Sequence, residues 1–285
     1  MAIHPARRIW TTLEPLHDVV YFGDGIRAAG VALGLRGFWQ TYFAFRAAPL
    51  GRVSPGAVTA VFAGFHPDMV GRALPDAWSR TSPRRCLEAR SAAATDVLRT
   101  AGADDAECAR AVELLRPALR AADPTGRPLF ASNAELPLAD DPVAALWQVA
   151  TILREHRGDG HVAALVAAGV SGVRALVLQV AADKVSESVV RPARGWSPSQ
   201  WAEIVAGLRA DGLVTGEPSE PVLTADGAAL LERVEAATDD AAWRGALSVL
   251  ADDAVGDVLT CLAPLVRTVR ATVVPPGNAV AMGKE

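Results

Sequence analysis

Four consecutive polar residues, "REHR" at positions 154–157, follow the apolar stretch "VAALWQVATIL". Histidine titrates near neutral pH, so His156 could donate or accept a proton, and Glu155 could orient its ring. Arginine binds anionic oxygens through a planar fork of N–H groups, which suits Arg154 and Arg157. Another histidine, His161, follows shortly after this segment in the sequence. The segment therefore has the residue types of an acid–base site that holds an anion.

Candidate partners lie in the first half of the chain, where His17 and Tyr21 are four residues apart, as are Tyr42 and Arg46. Residues at this spacing share a helix face. We predict that they meet the first segment in a polar cluster that binds a small molecule. The candidate catalytic residues are His156, His161 and Glu155, and the candidate ligand-binding residues are His17, Tyr21, Tyr42, Arg46, Arg154 and Arg157.

Simpler interpretations stay open for both segments. "REHR" is also typical of a solvated or ion-paired helix end. Tyr42 lies in "GFWQTYFAF", where the aromatic spacing is typical of the buried face of a helix. His156, Asp159 and His161 could ligate a metal by residue type, but their spacing fits no common motif. Since no nucleotide-binding fingerprint is present either, the sequence predicts neither a metal nor a cofactor.

An internal repeat indicates how the chain is organised. "GDGIRAAGVALGLRG" at positions 23–37 and "GDGHVAALVAAGVSG" at 158–172 share nine of fifteen residues at an offset of 135. Further matches follow at offsets of 143 ("SP" at 54 and 197, "AATD" at 93 and 236) and 147 (Leu115 and Leu262). Ordered matches with small insertions are typical of tandem duplication, although an Ala-rich chain also produces chance matches.

The repeat predicts the domain organisation. Two halves, 1–122 and 142–285, flank a Pro-rich linker at 123–141. Within each copy of the phrase, Asp24 or Asp159 is predicted to cap a short helix at its start. Gly34 or Gly169 is predicted to end that helix in the left-handed conformation.

The second half has the element order of a winged helix. Ser197 is predicted to cap a helix that has Pro198 in its first turn and buries one face, including Trp201. "GLVTGEPSEPVLTADG" alternates as two short strands joined by a turn, and a long helix follows. We therefore predict a mainly α-helical protein of two tandem winged-helix-like repeats, a pseudo-dimer in one chain, with a small β-wing in the second half.

The stretch "RGWSPSQWAEIVAGLRADGLV…LTADGAALLERVEAATD" resembles the core of MarR-type winged helices. The whole chain is similar to an actinobacterial helix-turn-helix family, with recurrent phrases that appear here as "LEPLHDVVYF", "GLRGFWQTYFAFRAAPLG" and "LREHRGDGHVAALVAAG". The resemblance implies a winged-helix fold and, for MarR-type regulators, DNA binding as dimers and ligands bound near the junction of their parts.

A DNA-reading helix needs side chains for base edges and cations for phosphates. The candidate helix supplies Gln200 and Arg209, but the predicted wing carries Glu217 and Glu220 and no cation. Acidic side chains next to phosphates oppose binding. We therefore favour a sensor or enzyme of specialised metabolism that binds an aromatic or anionic small molecule between the repeats. A MarR-type DNA-binding regulator is the alternative.

Composition limits the remaining possibilities. The 285 residues are 51% hydrophobic and 21% charged, which is typical of a globular chain, and the net charge of −4 provides no general attraction to nucleic acid. No apolar run approaches a membrane span, and the N-terminus does not look like a signal peptide. Three scattered cysteines fit a reducing compartment. We expect a cytoplasmic monomer or homodimer.

Overall fold

The computed structural model describes residues 3–275, 277 and 278. Helices make up 74% of the described residues, which also form one two-stranded sheet, so the predicted mainly α fold with a small β-wing is confirmed. Two compact units are built from interleaved segments. The described residues of unit 1 are 3–53, 73–160 and 239–275, and those of unit 2 are 54–72, 161–238, 277 and 278.

The elements follow one another along the chain. The helices in the described residues are α1 (Pro5–Phe22), α2 (Asp24–Ala32), α3 (Gly37–Ala47), α4 (Pro55–Val61), α5 (Pro67–Arg80), α6 (Pro83–Thr100), α7 (Asp105–Ala121), α8 (Pro128–Ala134), α9 (Pro142–Ala167), α10 (Gly172–Ala181), α11 (Glu187–Ala193), α12 (Pro198–Ala210), α13 (Ala225–Gly245) and α14 (Asp252–Thr272). The strands are β1 (Val214–Glu217) and β2 (Glu220–Leu223), which lie between α12 and α13.

Unit 1 is a helical bundle. In it α1 packs against α6 and α14, α6 also packs against α2 and α3, and α7 packs against α14. The largest fully buried side chains of this unit include Trp147, Phe43 and Phe45. Each aromatic side chain removes some 150–250 Å² of surface from water, so these rings dominate the stability of the bundle.

Unit 2 has the winged-helix core. Ser197 and Gln200 form a capping box at the start of α12, which buries Trp201, Val205 and Leu208 against α10. The wing pairs β1 with β2 in antiparallel register, from Val214 opposite Leu223 to Glu217 opposite Glu220. The predicted cap, the buried face and the two strands are confirmed.

The two copies of the repeated phrase differ in structure. Gly34 and Gly169 both adopt positive φ, at 80° and 69°, so the predicted left-handed helix ends are confirmed. The predicted cap at Asp159 is wrong, because this residue lies inside α9, and its Oδ2 instead accepts the Phe130 N–H of α8 at 2.9 Å. The predicted cap at Asp24 is also wrong, because Asp24 is the first residue of α2 and the N-cap is Gly23, which has no side chain to accept a bond.

The predicted repeat has counterparts in the element boundaries. α3 begins at Gly37 and α10 at Gly172, at the offset of 135; α4 and α12 begin at the offset of 143, and α7 and α14 at that of 147. The first copy has no strands in its described residues, and one helix, α9, replaces α1 and α2. The predicted linker contains α8, whose Leu129 and Phe130 are buried. The duplication and the boundaries at 122 and 142 stay predictions.

Within the described residues, no single helix has both the length and the apolar composition to cross a membrane. The bent pair of α9 and α10 meets these two criteria together.

A close backbone approach inside unit 2 provides a test of its packing. A Cβ at Gly172, the first residue of α10, would lie 2.3 Å from the backbone nitrogen of Gly64. We expect Gly172→Ala to lower the free energy of unfolding by roughly 1–3 kcal/mol, because the backbone must move. Urea denaturation followed by tryptophan fluorescence would measure this change.

The matched control is Gly71→Ala in α5, where a Cβ meets nothing within 4 Å. Alanine should raise stability there by about 0.5–1 kcal/mol, because it replaces a glycine within a helix. Equal effects of the two substitutions would contradict the close approach of residues 64 and 172.

Candidate ligand-binding site

A stripe of polar side chains runs along the buried face of α1. Glu14 and Asp18 are four residues apart, as are His17 and Tyr21, and each of the four side chains is at most 5% exposed. This spacing places them on one face of the helix. Glu14 and Asp18 were not among the predicted site residues, although the same spacing in the sequence relates them to His17 and Tyr21.

Glu155 of α9 lies at the centre of the buried charges. Arg46 of α3 donates to both of its oxygens, at 3.0 and 3.1 Å, and Arg154 donates to Oε2 at 2.8 Å. Burial alone would raise the pKa of Glu155, but the charges of Arg154 and Arg46 lower it well below its usual range. The carboxylate is therefore ionised at neutral pH and joins α3 to α9.

Arg154 extends the network to α1. Its Nε lies 3.3 and 3.4 Å from the two carboxylate oxygens of Glu14, which also accepts the indole N–H of Trp10 at 2.7 Å. Arg46 and Arg154 were predicted to bind a ligand, and Arg154 to bind its anionic group. In the structure both donate to carboxylates of the chain itself.

Hydrogen bonds assign the tautomer of His17. The hydroxyl of Thr151 donates to the carbonyl of Trp147 at 2.9 Å, so it accepts from Nδ1 of His17 at 3.0 Å. Nε2 of His17 then accepts the Tyr21 hydroxyl at 2.8 Å. Burial, with a contribution from Arg154, holds the pKa of His17 well below its usual range. The imidazole is therefore neutral and orients Tyr21.

Asp18 is the exception in this network. It is 1% exposed, and neither carboxylate oxygen has a hydrogen-bond partner among the described residues. Burial, and then the charge of Glu14, raise the pKa of Asp18 well above its usual range. A buried carboxyl group without a partner lowers the stability of the fold.

A cavity of about 250 Å³ opens next to this network within unit 1. The rings of Tyr21 and Tyr42 lie 4.8 Å apart between centroids, and Phe38 stacks on Tyr42 at 6.3 Å and 22°. Arg46 donates to the Tyr42 hydroxyl at 3.1 Å, which ties the cavity wall to Glu155. The cavity is lined by Val20, Tyr21, Phe22, Gly23, Asp24, Ile26, Arg27, Phe38, Thr41 and Tyr42.

Two of the "REHR" residues have neighbours outside this network. The ring of His156 packs edge-on against Phe130 at 4.9 Å, and burial and the charge of Arg127 lower its pKa to about 4. Arg157 donates to Asp239 at 2.9 Å and lies 4.2 Å from the ring centre of Trp10. All four "REHR" side chains are mostly buried, so the segment is not a solvated helix end.

His161, the remaining predicted catalytic residue, belongs to unit 2, where its Nδ1 lies 3.0 Å from the hydroxyl of Thr238. The structure therefore brings six predicted residues into one network of unit 1. They are His17, Tyr21, Tyr42, Arg46, Arg154 and Glu155. Among the residues whose side chains are described, no group of three or more His, Cys, Asp or Glu is arranged to hold a metal ion.

The two candidate DNA-reading residues lie on α12 of unit 2. Gln200 accepts the Ser197 N–H at 3.0 Å, and its amide nitrogen lies 3.0 Å from Nε2 of His66. Arg209 lies 3.7 Å from Glu217 of the wing. Both polar groups therefore have partners within the chain.

Residues 64–69 contact Gln200 in the first turn of α12 and the residues before this helix. Trp196 donates to the carbonyl of Gly64 at 2.7 Å, and the backbone N–H of His66 donates to Arg194 at 2.8 Å. The rings of His66 and Trp196 pack edge to face at 4.7 Å. The N-terminal residues of a recognition helix are those that contact base edges. Here Gln200 among them is engaged by His66, whereas Pro198 and Ser199 are exposed.

A helix-turn-helix family model matches residues 6–276, so the chain belongs to this helix-turn-helix family. A search of the curated proteins and a search of the solved structures found no match. The MarR-type relationship and the actinobacterial origin stay predictions.

The central ion pairs provide a stability test. Glu155→Gln would leave Arg46 and Arg154 without the carboxylate that they share. We expect a loss of about 3–5 kcal/mol in the free energy of unfolding, because uncompensated charge stays buried. Denaturant titration at pH 7 would measure it. Glu88→Gln, in the exposed pair with Arg84, is the control and should cost less than about 1 kcal/mol. Similar losses for both variants would contradict a buried network.

A substitution of Asp18 should raise the free energy of unfolding, whereas Glu155→Gln should lower it. Because the pKa of Asp18 is higher in the folded than in the unfolded state, stability falls as pH rises from about 4 through the raised pKa. We expect Asp18→Asn to raise the free energy of unfolding at pH 8 by on the order of 1–3 kcal/mol and to flatten this decline.

Thermal unfolding between pH 4 and pH 8 would measure both effects. The exposed Asp96 of α6 provides the control Asp96→Asn, which should change stability by less than about 0.5 kcal/mol. A lower stability of Asp18→Asn at pH 8 would show that the carboxylate has a stabilising partner.

Proposed function

We propose that this helix-turn-helix protein binds a small aromatic molecule in the cavity next to Tyr21 and Tyr42. The observation that carries the proposal is the cavity of about 250 Å³ with aromatic walls and a few polar groups. Small-molecule sites are concave, mostly apolar and furnished with few polar groups, and this cavity has these properties near the lower end of their usual size.

The surrounding network favours binding over turnover. Both ring nitrogens of His17 are engaged, and two guanidinium groups hold the carboxylate of Glu155. A general acid or base must reach the proton that it transfers, and these groups are committed to each other. Their effect is to fix the rings of Tyr21 and Tyr42, which suits a sensor rather than an enzyme.

A DNA partner is the second candidate, and membership of a helix-turn-helix family favours it. Two features oppose it. His66 engages Gln200, the candidate base-reading side chain in the first turn of α12. Across residues 54–72 and 161–238, ten Asp and Glu outnumber seven Arg and Lys, so this unit repels phosphate on balance. We therefore rank ligand binding above sequence-specific DNA binding.

An uncharged aromatic probe tests the cavity. We expect p-cresol to bind saturably with a dissociation constant of about 1 mM or lower, measured by ligand-observed NMR, and to raise the thermal midpoint. Phe38→Ala should weaken binding at least about fivefold, since a stacking ring is lost. Val31→Ala, on α2 and outside the cavity, should leave the affinity unchanged.

Two results would contradict the ranking. If p-cresol does not bind saturably, or if it binds the Phe38→Ala variant with equal affinity, the cavity is not the binding site.

A random duplex DNA pool passed over the protein at about 0.15 M salt should yield no enriched sequence. An enriched sequence whose binding is lost in Gln200→Ala and Arg209→Ala would favour the DNA-binding candidate.

A further inference from the structure

Two opposite charges lie on the solvent side of the aromatic cavity. Asp24 and Arg27 both line it, and both side chains are exposed. Side chains three residues apart on a helix are neighbours, and an Asp–Arg pair at this spacing commonly bonds. Among the described residues, however, neither side chain forms an ion pair or a hydrogen bond. The rim therefore offers one carboxylate and one guanidinium group, both available to a ligand.

The break between α1 and α2 positions these charges. Gly23 is extended, and a Cβ there would lie 2.4 Å from a methyl carbon of Val97, so only glycine fits without a shift. The chain turns at this residue, and the first turn of α2 then lies beside Tyr21. As a result the charges of α2 and the rings of α1 and α3 surround one cavity.

We propose that the ligand is an α-amino acid with an aromatic side chain. Its ring would lie against Tyr21, Phe38 and Tyr42, its ammonium group would pair with Asp24, and its carboxylate would pair with Arg27. An aromatic amine would leave Arg27 without a partner, and an aromatic acid would leave Asp24 without one. A ligand that carries both an ammonium group and a carboxylate, as an α-amino acid does, would pair with both side chains. This inference rests on the proposed function and names the ligand class of the same cavity.

Three related probes separate the contributions of the two charges. L-Phenylalanine carries both charged groups, phenethylamine lacks the carboxylate, and 3-phenylpropionate lacks the ammonium group. We expect L-phenylalanine to bind about tenfold more tightly than either of the others, in titrations monitored by ligand-observed NMR at pH 7. Equal or weaker binding of L-phenylalanine would overturn the inference, whereas p-cresol binding would still support the cavity as a site.

Charge-neutralising variants test each pairing. Asp24→Asn should weaken L-phenylalanine and phenethylamine at least about fivefold and leave 3-phenylpropionate unchanged. Arg27→Gln should weaken L-phenylalanine and 3-phenylpropionate to a similar extent and leave phenethylamine unchanged. The exposed Asp96 and Arg36 lie outside the cavity lining, so Asp96→Asn and Arg36→Gln are the controls. The assignment would be overturned if both variants lost binding of all three probes. It would also be overturned if neither variant weakened the binding of any probe.

Discussion

The buried negative charge of Glu155 constrains much of unit 1. A carboxylate away from water is costly unless cations and hydrogen bonds surround it, and Glu155 meets this requirement through Arg46 of α3 and Arg154 of its own helix. Arg154 also reaches Glu14, which brings α1 into the same network. A shift of any one of these helices along its axis would break charge-assisted bonds, so the network fixes the register of three helices.

The same network preorganises the cavity. Arg46 holds the hydroxyl of Tyr42, while His17, itself oriented by Thr151, holds that of Tyr21. Rings fixed before a ligand arrives lose little conformational entropy on binding. Asp18 shows the cost of placing so many polar groups on one helix face, since its carboxyl group is buried without a hydrogen-bond partner in the described part of the chain. Proteins commonly keep such a destabilising residue where it lies at a functional site.

Several elements that depend on residues close in sequence were predicted correctly. The cap at Ser197, the two-stranded wing and the positive φ of Gly34 and Gly169 follow from residues close in sequence, and all are present. The continuity of α9 through Asp159 was missed, because the partner of this carboxylate is the distant Phe130. The residue types and four-residue spacings predicted six members of the network. The aromatic cavity depends on the turn at Gly23 and could not be located from spacing.

Membership of a helix-turn-helix family does not by itself determine what the fold binds. If the predicted duplication is correct, α4 is the counterpart of α12 by its offset of 143, and it is shorter and is not followed by strands in the described residues. Of the residues that follow α4, His66 contacts Gln200 of α12 where a reading helix would meet DNA, and Gly64 accepts from Trp196 just before this helix. A copy used in this way stabilises the second winged helix and also engages Gln200, one of its two candidate base-reading side chains. Selection could then act on the aromatic cavity of unit 1 without preserving a DNA-binding surface.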